Sequence, residues 1–379
     1  MAETPAPATV GMAMEDVDTP ALLVDLDAFE RNLKRMADAI EGSAARLRPH
    51  SKTHKCPVVA LRQMAYGAVG ACCQKVGEAE AMVYGGVPDV LVSNQIVGAP
   101  KLARLAALAR QAKVGVCADD AGNVSDLDAA AENAGVVLDV LVEIDVGAER
   151  CGVAPGTPAL ELAQTIDKAG NLSFGGLQAY HGRSQHIRAY DERRRAAENA
   201  IALTKDTVAL LAEHGLECDI VGGAGTGTYQ FEATSGVYNE LQAGSYVFMD
   251  VDYGENENEG GGAFADFENS LFVYATVMSR VTDERAMLDA GLKALSIDSG
   301  MPRLWETPGV DFVGASDEHG KLAIGDAAAS GNRNLRVGDK VQLVPGHVDP
   351  TVNLYDWYVG IRNGHVESLW PITARGLLR

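Results

Sequence analysis

The chain has 379 residues, 47% of them hydrophobic and 22% charged, with a formal net charge of -20. That length predicts two domains, and no apolar run approaches the roughly 18 residues that spanning a bilayer requires. The acidity excludes a nucleic-acid backbone as partner, because phosphate contacts need clustered Lys and Arg.

The N-terminal "MAETPAPATVGMAMEDVDTP" has no basic region followed by an apolar one. It reads as an unstructured lead-in and predicts a cytoplasmic protein, not a secreted one. The six cysteines show no CxxC spacing, and most sit in apolar runs, which predicts reduced thiols packed as small hydrophobes.

From about residue 21 to 250 short apolar runs alternate with helical patterns. The predicted strands are "ALLVDL" (21–26), "RLRPHSK" (46–52), "VGACCQ" (69–74), "DVLVSN" (89–94), "VGVCAD" (114–119), "DVLVEIDV" (139–146), "FGGLQAY" (174–180), "CDIVGGAG" (218–225) and "ELQAGSYVF" (240–248). Segments such as "AFERNLKRMADAI" and "APKLARLAALARQA" between them carry apolar residues three and four apart. This βα alternation implies a parallel sheet. Nine strands exceed a barrel by one, so the first lies outside and the other eight close a (β/α)8 barrel. An open doubly wound sheet is the alternative.

The Gly-, Asn- and acid-rich "ENENEGGGAFADFENS" (255–270) marks a boundary. Beyond it "LFVYATVMSRV", "KALSID", "KVQLVPGH" and "WYVGIRNGHVE" read as strands of an all-β unit. The predicted division is a barrel over 28–255 and a β domain made of 1–27 with 256–379.

In a barrel, ligands gather where the strands end. Those ends carry Lys52, Gln74, Asn94, Arg150, Tyr180 and His181, then "GGAGTGTY" and "AGSY". Within "LRPHSKTHK", Arg48, His50 and Lys52 alternate along one strand face with Lys52 at its tip. A lysine placed there beside other cations has its pKa pushed down, which suits Schiff-base chemistry. Lys55, beyond the turn, is the alternative, or else a solvated or anion-contacting side chain. The glycine-rich turns 222–228 and 243–246, with Thr226 and Ser245 hydroxyls, suit a phosphate. In "PGHVDPTVNLYD", His347 and Asp349 project to one side of an extended segment and, completed by waters, suit Mn²⁺ or Mg²⁺. His181, His186 and His319 are acid/base candidates.

Taken together, "TPALLVDLDAFERNLKRM", "LRPHSKTHK", "CCQKVGEAEAM", "EIDVGAERCGV", "GLQAYHG", "GGAGTGTY", "ELQAGSYVFMD", "DAGLKALSIDSG", "SDEHG" and "GHVDPTVNLYDWYVG" resemble the D-threonine aldolase family. This is a group of pyridoxal-phosphate enzymes of alanine-racemase fold, related to D-3-hydroxyaspartate aldolase and D-serine dehydratase. The resemblance implies that Lys52 holds pyridoxal 5'-phosphate as a Schiff base, with Gly225, Thr226, Gly244, Ser245 and Tyr246 at its phosphate. Gln74 joins the cofactor site, Arg150 lies near the phenolic oxygen and Tyr180 faces the pyridine nitrogen. His347 and Asp349 fall on the family's metal ligands; the dehydratase branch has cysteine at the second position, so Asp349 favours the aldolase.

The implied reaction cleaves a small-molecule D-β-hydroxy-α-amino acid to glycine and an aldehyde, with His186 as the preferred base and His181 second. D-3-hydroxyaspartate cleavage, D-serine dehydratase-like β-elimination, racemisation and non-catalytic pyridoxal-phosphate carriage are the other readings. The fold's relatives pair head to tail, so a homodimer is expected by analogy.

Overall fold

The computed structural model describes residues 5–325 and 335–379. Strand β1 (Ala21–Asp25) leads directly into helix α1 (Leu26–Ile40). Asp25 caps that helix, its carboxylate accepting from the backbone N–H groups of Asp27 and Ala28. The buried residues of α1, including Leu26, Phe29, Leu33 and Met36, recur at three- and four-residue spacing, so one stripe faces the core.

Eight parallel strands follow: β2 (Arg46–Leu47), β3 (Ala71–Cys73), β4 (Asp89–Gln95), β5 (Lys113–Ala118), β6 (Leu138–Glu143), β7 (Leu172–Gln178), β8 (Ile220–Gly223) and β9 (Glu240–Leu241). They are hydrogen-bonded in the order β2-β9-β8-β7-β6-β5-β4-β3. A parallel bridge between His50 and Cys72 joins the two ends and closes the ring. Outside it run α2 (Pro57–Ala65), α3 (Val76–Tyr84), α4 (Ala99–Leu108), α5 (Ala121–Ala134), α6 (Thr157–Asp167), α7 (Tyr190–Glu213) and α8 (Tyr229–Ala233). Strands buried on both faces need no polar alternation, and "LDVLVE" of β6 is buried along nearly its whole length. Cys72, Leu91, Cys117, Leu141 and Ile220 form an apolar cluster of their own among these strands. Cys72 therefore packs as predicted.

The chain leaves the barrel through the one-turn helix α9 (Val251–Gly254) and enters a second sheet. Its strands are β10 (Leu271–Thr282), β11 (Arg285–Leu288), β12 (Arg303–Leu304), β13 (Val310–Ala315), β14 (Gly320–Ile324), β15 (Lys340–Val344), β16 (Trp357–Arg362) and β17 (His365–Pro371), with helix α10 (Val348–Val352) inserted after β15. They run in the order β13-β14-β11-β10-β1-β16-β17, and β15 pairs with β10 and β12. The first strand of the chain thus sits between β10 and β16, outside the barrel. The two units share one continuous core: Phe29 of α1 lies 5.5 Å from Trp370 of β17 and 6.2 Å from Phe248, ring to ring. Among the described residues no helix is long and apolar enough to cross a membrane.

Three expectations are corrected. The N-terminal lead-in, over its described part, is not unstructured: Gly11 N–H donates to Val366 O at 2.8 Å, Met14 N–H donates to Gly364 O at 2.9 Å, and Val17 is fully buried. These pairings along the β16–β17 hairpin order it. "KALSID" is no strand, because Ala294 and Leu295 N–H groups fold back onto Gly291 O in a turn. In "ELQAGSYVF" only Glu240 and Leu241 are strand, and Ser245–Val247 coil into a 3-10 turn.

Candidate active site

Strand β2 ends at Leu47, and residues 51–54 form a turn closed by His54 N–H and Lys55 N–H donating to Ser51 O at 3.1 and 2.6 Å. Arg48 and His50 lie past that strand and meet different partners. Arg48 binds Glu240 at 2.8 Å and Asp89 at 2.6 Å, while His50 Nε2 meets Gln74 Nε2 at 3.0 Å and Ser93 Oγ at 3.1 Å. Lys52 is carried past the strand into the turn. Its Nζ contacts Asp349 Oδ2 of the second sheet's α10.

That contact corrects the expected pKa. Burial acts to lower the Lys52 ammonium, but the Asp349 carboxylate and the Tyr180 phenol outweigh it and hold it above the ordinary lysine value. Of the readings of Lys55, the solvated one is corrected and the anion-contacting one fits: it is buried, with Nζ 3.6 Å from Glu78 Oε2, and Glu78 is further held by Ser51 Oγ at 2.6 Å. His50 and His54 support the turn: burial pushes both imidazoles down, His54 to about 3, and His54 Nδ1 accepts from Cys56 N–H at 3.1 Å. The Tyr358 hydroxyl donates to His54 O at 2.8 Å and fastens the turn to β16.

The two glycine-rich turns lie beside it. Tyr246 N–H donates to Thr226 Oγ1 at 3.0 Å, joining the turn after β8 to the one after β9. A Cβ on Gly244 would sit 2.7 Å from Thr53 Oγ1 and 3.0 Å from His50 O, so this turn is pressed against the residues flanking Lys52. A Cβ on Gly225 would strike Gln185 Oε1 at 2.4 Å. Ser245 is buried in the same turn. Tyr246 sends its phenol away, where it accepts from Gln63 Nε2 at 3.2 Å, so only its backbone borders the turns. Arg150, in the loop after β6, pairs with Glu143 at 3.7 Å and its guanidinium stands over the Tyr180 ring at 5.5 Å.

His347 and Asp349 do not share an extended segment. His347 precedes α10 and Asp349 lies in its first turn. His347 Nδ1 is 2.9 Å from Asp250 Oδ2, and against burial that carboxylate raises the imidazole to about 9. Burial opposes ionisation of Asp349, yet Lys52 and His347 hold it far below the usual carboxylate range. Its Oδ1 is buried without a hydrogen-bond partner, while Nε2 of His347 is not used by the Asp250 contact. One imidazole nitrogen and one bare carboxylate oxygen suit a divalent cation. Among the described residues no group of three or more His, Cys, Asp or Glu is arranged for a metal.

His186 ends the 3-10 turn Gly182–His186, with Nδ1 2.7 Å from Asp252 Oδ2 and its ring 5.4 Å from that of Tyr253. His181 heads the same turn; its Nδ1 is buried and unbonded, and burial lowers its pKa. His319 is exposed in the connection between β13 and β14. The carboxylates behind His347 and His186 escape sequence reasoning, because "MDVDYG" reads as an ordinary helix start in which Asp250 caps Tyr253 N–H, as it also does here.

The family of the alanine racemase N-terminal domain matches residues 24–252, and that of a serine dehydratase domain matches residues 270–361. The chain is 48% identical to a D-threonine aldolase of Arthrobacter sp over 99% of its length and 97% of the relative's. It is 46% identical to a 3-hydroxy-D-aspartate aldolase of Paracoccus denitrificans over 98% and 95% of the two chains. Among solved structures, that of a D-threonine aldolase from Filomicrobium marinum superposes with a TM-score of 0.94 at 51% identity, covering 99% of this chain and 100% of that one.

Proposed function

The chain belongs to the alanine-racemase-fold family of D-hydroxyamino-acid aldolases, and on that premise we propose a pyridoxal-phosphate- and divalent-metal-dependent lyase acting on D-threonine and related D-β-hydroxy-α-amino acids. The products are glycine and an aldehyde. The observation that carries the reading is the contact of Lys52 with Asp349, which brings the amine of one unit to a carboxylate of the other.

The close approach of the Gly244 turn to the residues flanking Lys52 fits a cofactor that is held by its phosphate and joined to the lysine. Gly225, Thr226, Gly244 and Ser245 would take the phosphate through backbone N–H and hydroxyl groups, with the backbone of Tyr246 beside them. Arg150, Tyr180 and Gln74 would line the ring. His347 Nε2 and Asp349 Oδ1 would hold the cation, Mn²⁺ or Mg²⁺. Pyridoxal phosphate supplies an electron sink for the pair left on Cα when the Cα–Cβ bond breaks. The cation supplies Lewis acidity toward the β-hydroxyl.

This chain's own part is to move one proton. His186 Nε2 accepts the β-hydroxyl proton as the C–O bond becomes a carbonyl. His181 is the second choice, since burial disfavours the imidazolium it would have to become. The division into a barrel over 28–255 and a β domain of 1–27 with 256–379 accords with β1 lying in the second sheet. A homodimer and a cytoplasmic location complete the reading.

Release of acetaldehyde from D-threonine or benzaldehyde from D-phenylserine, measured with and without chelator, tests it. Pyruvate or ammonia in place of aldehyde, or activity indifferent to metal removal, overturns it. The 46% identity to a 3-hydroxy-D-aspartate aldolase favours a second substrate for the same chemistry, with glyoxylate as the aldehyde.

A further inference from the structure

Two imidazoles of the site are held in the same way by one helical turn. Asp250, which caps α9, approaches His347 at Nδ1, and Asp252, two residues on in α9, approaches His186 at Nδ1. The turn is itself anchored, with Val251 N–H donating to Pro345 O at 3.0 Å and Asp252 N–H to Gly346 O at 3.1 Å, immediately before His347. One short segment therefore sets the position of both rings.

Asp252 is doubly engaged. Its Oδ2 faces His186, and its Oδ1 takes Arg188 Nη2, while Arg188 Nη1 donates to Asp252 O at 2.6 Å. The guanidinium cannot accept a hydrogen bond, so it fixes which oxygen is left for the imidazole. Burial opposes ionisation of Asp252, but the His186 and Arg188 contacts hold it at about 2, so at neutral pH it is an acceptor only. A neutral His186 must then carry its proton on Nδ1 and leave Nε2 bare.

We propose that Asp252 is a positioning residue for the lyase reaction, clamped by Arg188 so that it fixes His186 in the Nδ1–H tautomer with Nε2 free to take the substrate's proton. This rests on the reading of His186 as the base. Asp252→Asn probes it sharply. Arg188 would claim the amide oxygen, the NH2 group would face Nδ1, and the ring would have to adopt the opposite tautomer. The expected loss is roughly 10²-fold or more in kcat, the range of a positioned base, with KM little changed. Adding Arg188→Met to Asp252→Asn frees the amide to turn its oxygen to Nδ1–H, and should restore the tautomer and part of kcat.

Nitrogen-15 spectra of the histidine-labelled holoenzyme, with His186→Gln to assign the resonance, read the tautomer without reference to turnover. Cofactor absorbance equal to wild type checks that each variant is folded, and Arg188→Met alone stands in if Asp252→Asn is not. It should loosen the clamp and mix the tautomers. Glu255→Gln, which removes only Arg188's exposed second carboxylate at 3.3 Å, should leave kcat unchanged. Nδ1 protonation in wild type, its transfer to Nε2 in Asp252→Asn and its return in the double variant support the proposal. An Nε2–H tautomer in wild type, or wild-type kcat in Asp252→Asn while His186→Gln is inactive, overturns the proposal and leaves the aldolase reading standing. Absence of aldehyde from wild type overturns that reading instead, and the spectra still decide the tautomer.

Discussion

Lys52 Nζ and the Asp349 carboxylate touch although 297 residues separate them, one in the turn after β2 and the other in the first turn of α10. Their variants should therefore fail differently. Lys52→Ala removes the amine and should abolish the visible absorbance of the lysine-bound cofactor; survival of that absorbance moves the assignment to Lys55. Asp349→Ala should keep the absorbance but weaken Mn²⁺ at least about 100-fold, since even outer partners of a metal site cost up to that much. Metal affinity measured by titration decides the second arm, and an unchanged value removes Asp349 from the site.

Arg48 has a structural task that its place in a basic cluster conceals. It is 4% exposed and pairs with Glu240, whose side chain is fully buried, and with Asp89. Arg48→Met leaves the buried Glu240 carboxylate with only the half-exposed Arg46, at 4.0 Å, and should destabilise the fold by about 3 kcal/mol. Chemical denaturation of the two proteins measures it. A loss below about 1 kcal/mol would mean that the barrel relaxes or admits water to Glu240.

Much of this was readable in the residues, for identifiable reasons. Strands buried on both faces leave largely apolar runs such as "DVLVEIDV", and counting them placed β1 outside the barrel. Glycine at 225 and 244 was legible as a pattern at strand ends, and the structure gives the reason as room, since a Cβ there would strike Gln185 Oε1 or Thr53 Oγ1. The tail beyond such a run was not. "RLRPHSK" carries strand alternation to Lys52, yet the chain turns at Ser51 because its carbonyl is taken by His54 and Lys55 N–H groups. Lys52 then meets an anion that only tertiary contact brings. Asp250 and Asp252 were hidden for a similar reason: a helix start explains acidic residues locally, and their imidazole partners lie 97 and 66 residues away. The ordering of the N-terminal segment depends on a hairpin more than 340 residues downstream.

Gly244→Ala tests the phosphate turn. The backbone there has φ -114°, which any residue adopts, so the substitution brings no conformational strain and acts only through its methyl group. That methyl would meet Thr53 Oγ1 and His50 O, the latter backbone that cannot swing aside, and would push the Lys52 turn off its place. A shift approaching 1 Å costs on the order of 10²-fold in a positioned site. Absorbance titration with pyridoxal phosphate should show affinity falling by roughly 10- to 100-fold, and an unchanged affinity would place the phosphate elsewhere.

Glu232 carries the clearest pH signature outside the His347–Asp349 pair. It sits in α8 just beyond the glycine-rich turn, fully enclosed; Thr228 Oγ1 donates to its Oε1 at 2.9 Å, and Oε2 has no partner. Burial pushes its pKa up to about 8 against the Thr228 hydrogen bond. In the unfolded chain the same group ionises near its ordinary value of about 4.3. Between these limits the folded state holds a proton that the unfolded state has released, so stability must fall as pH rises through that window. Glu232→Gln removes the titration and keeps an acceptor for Thr228. The variant should match wild type near pH 4 and exceed it by about 1–3 kcal/mol near pH 8, the scale of one buried polar group's desolvation. Denaturant midpoints at both pH values measure the difference, and equal stability at pH 8 would show that water reaches Glu232 in the folded protein.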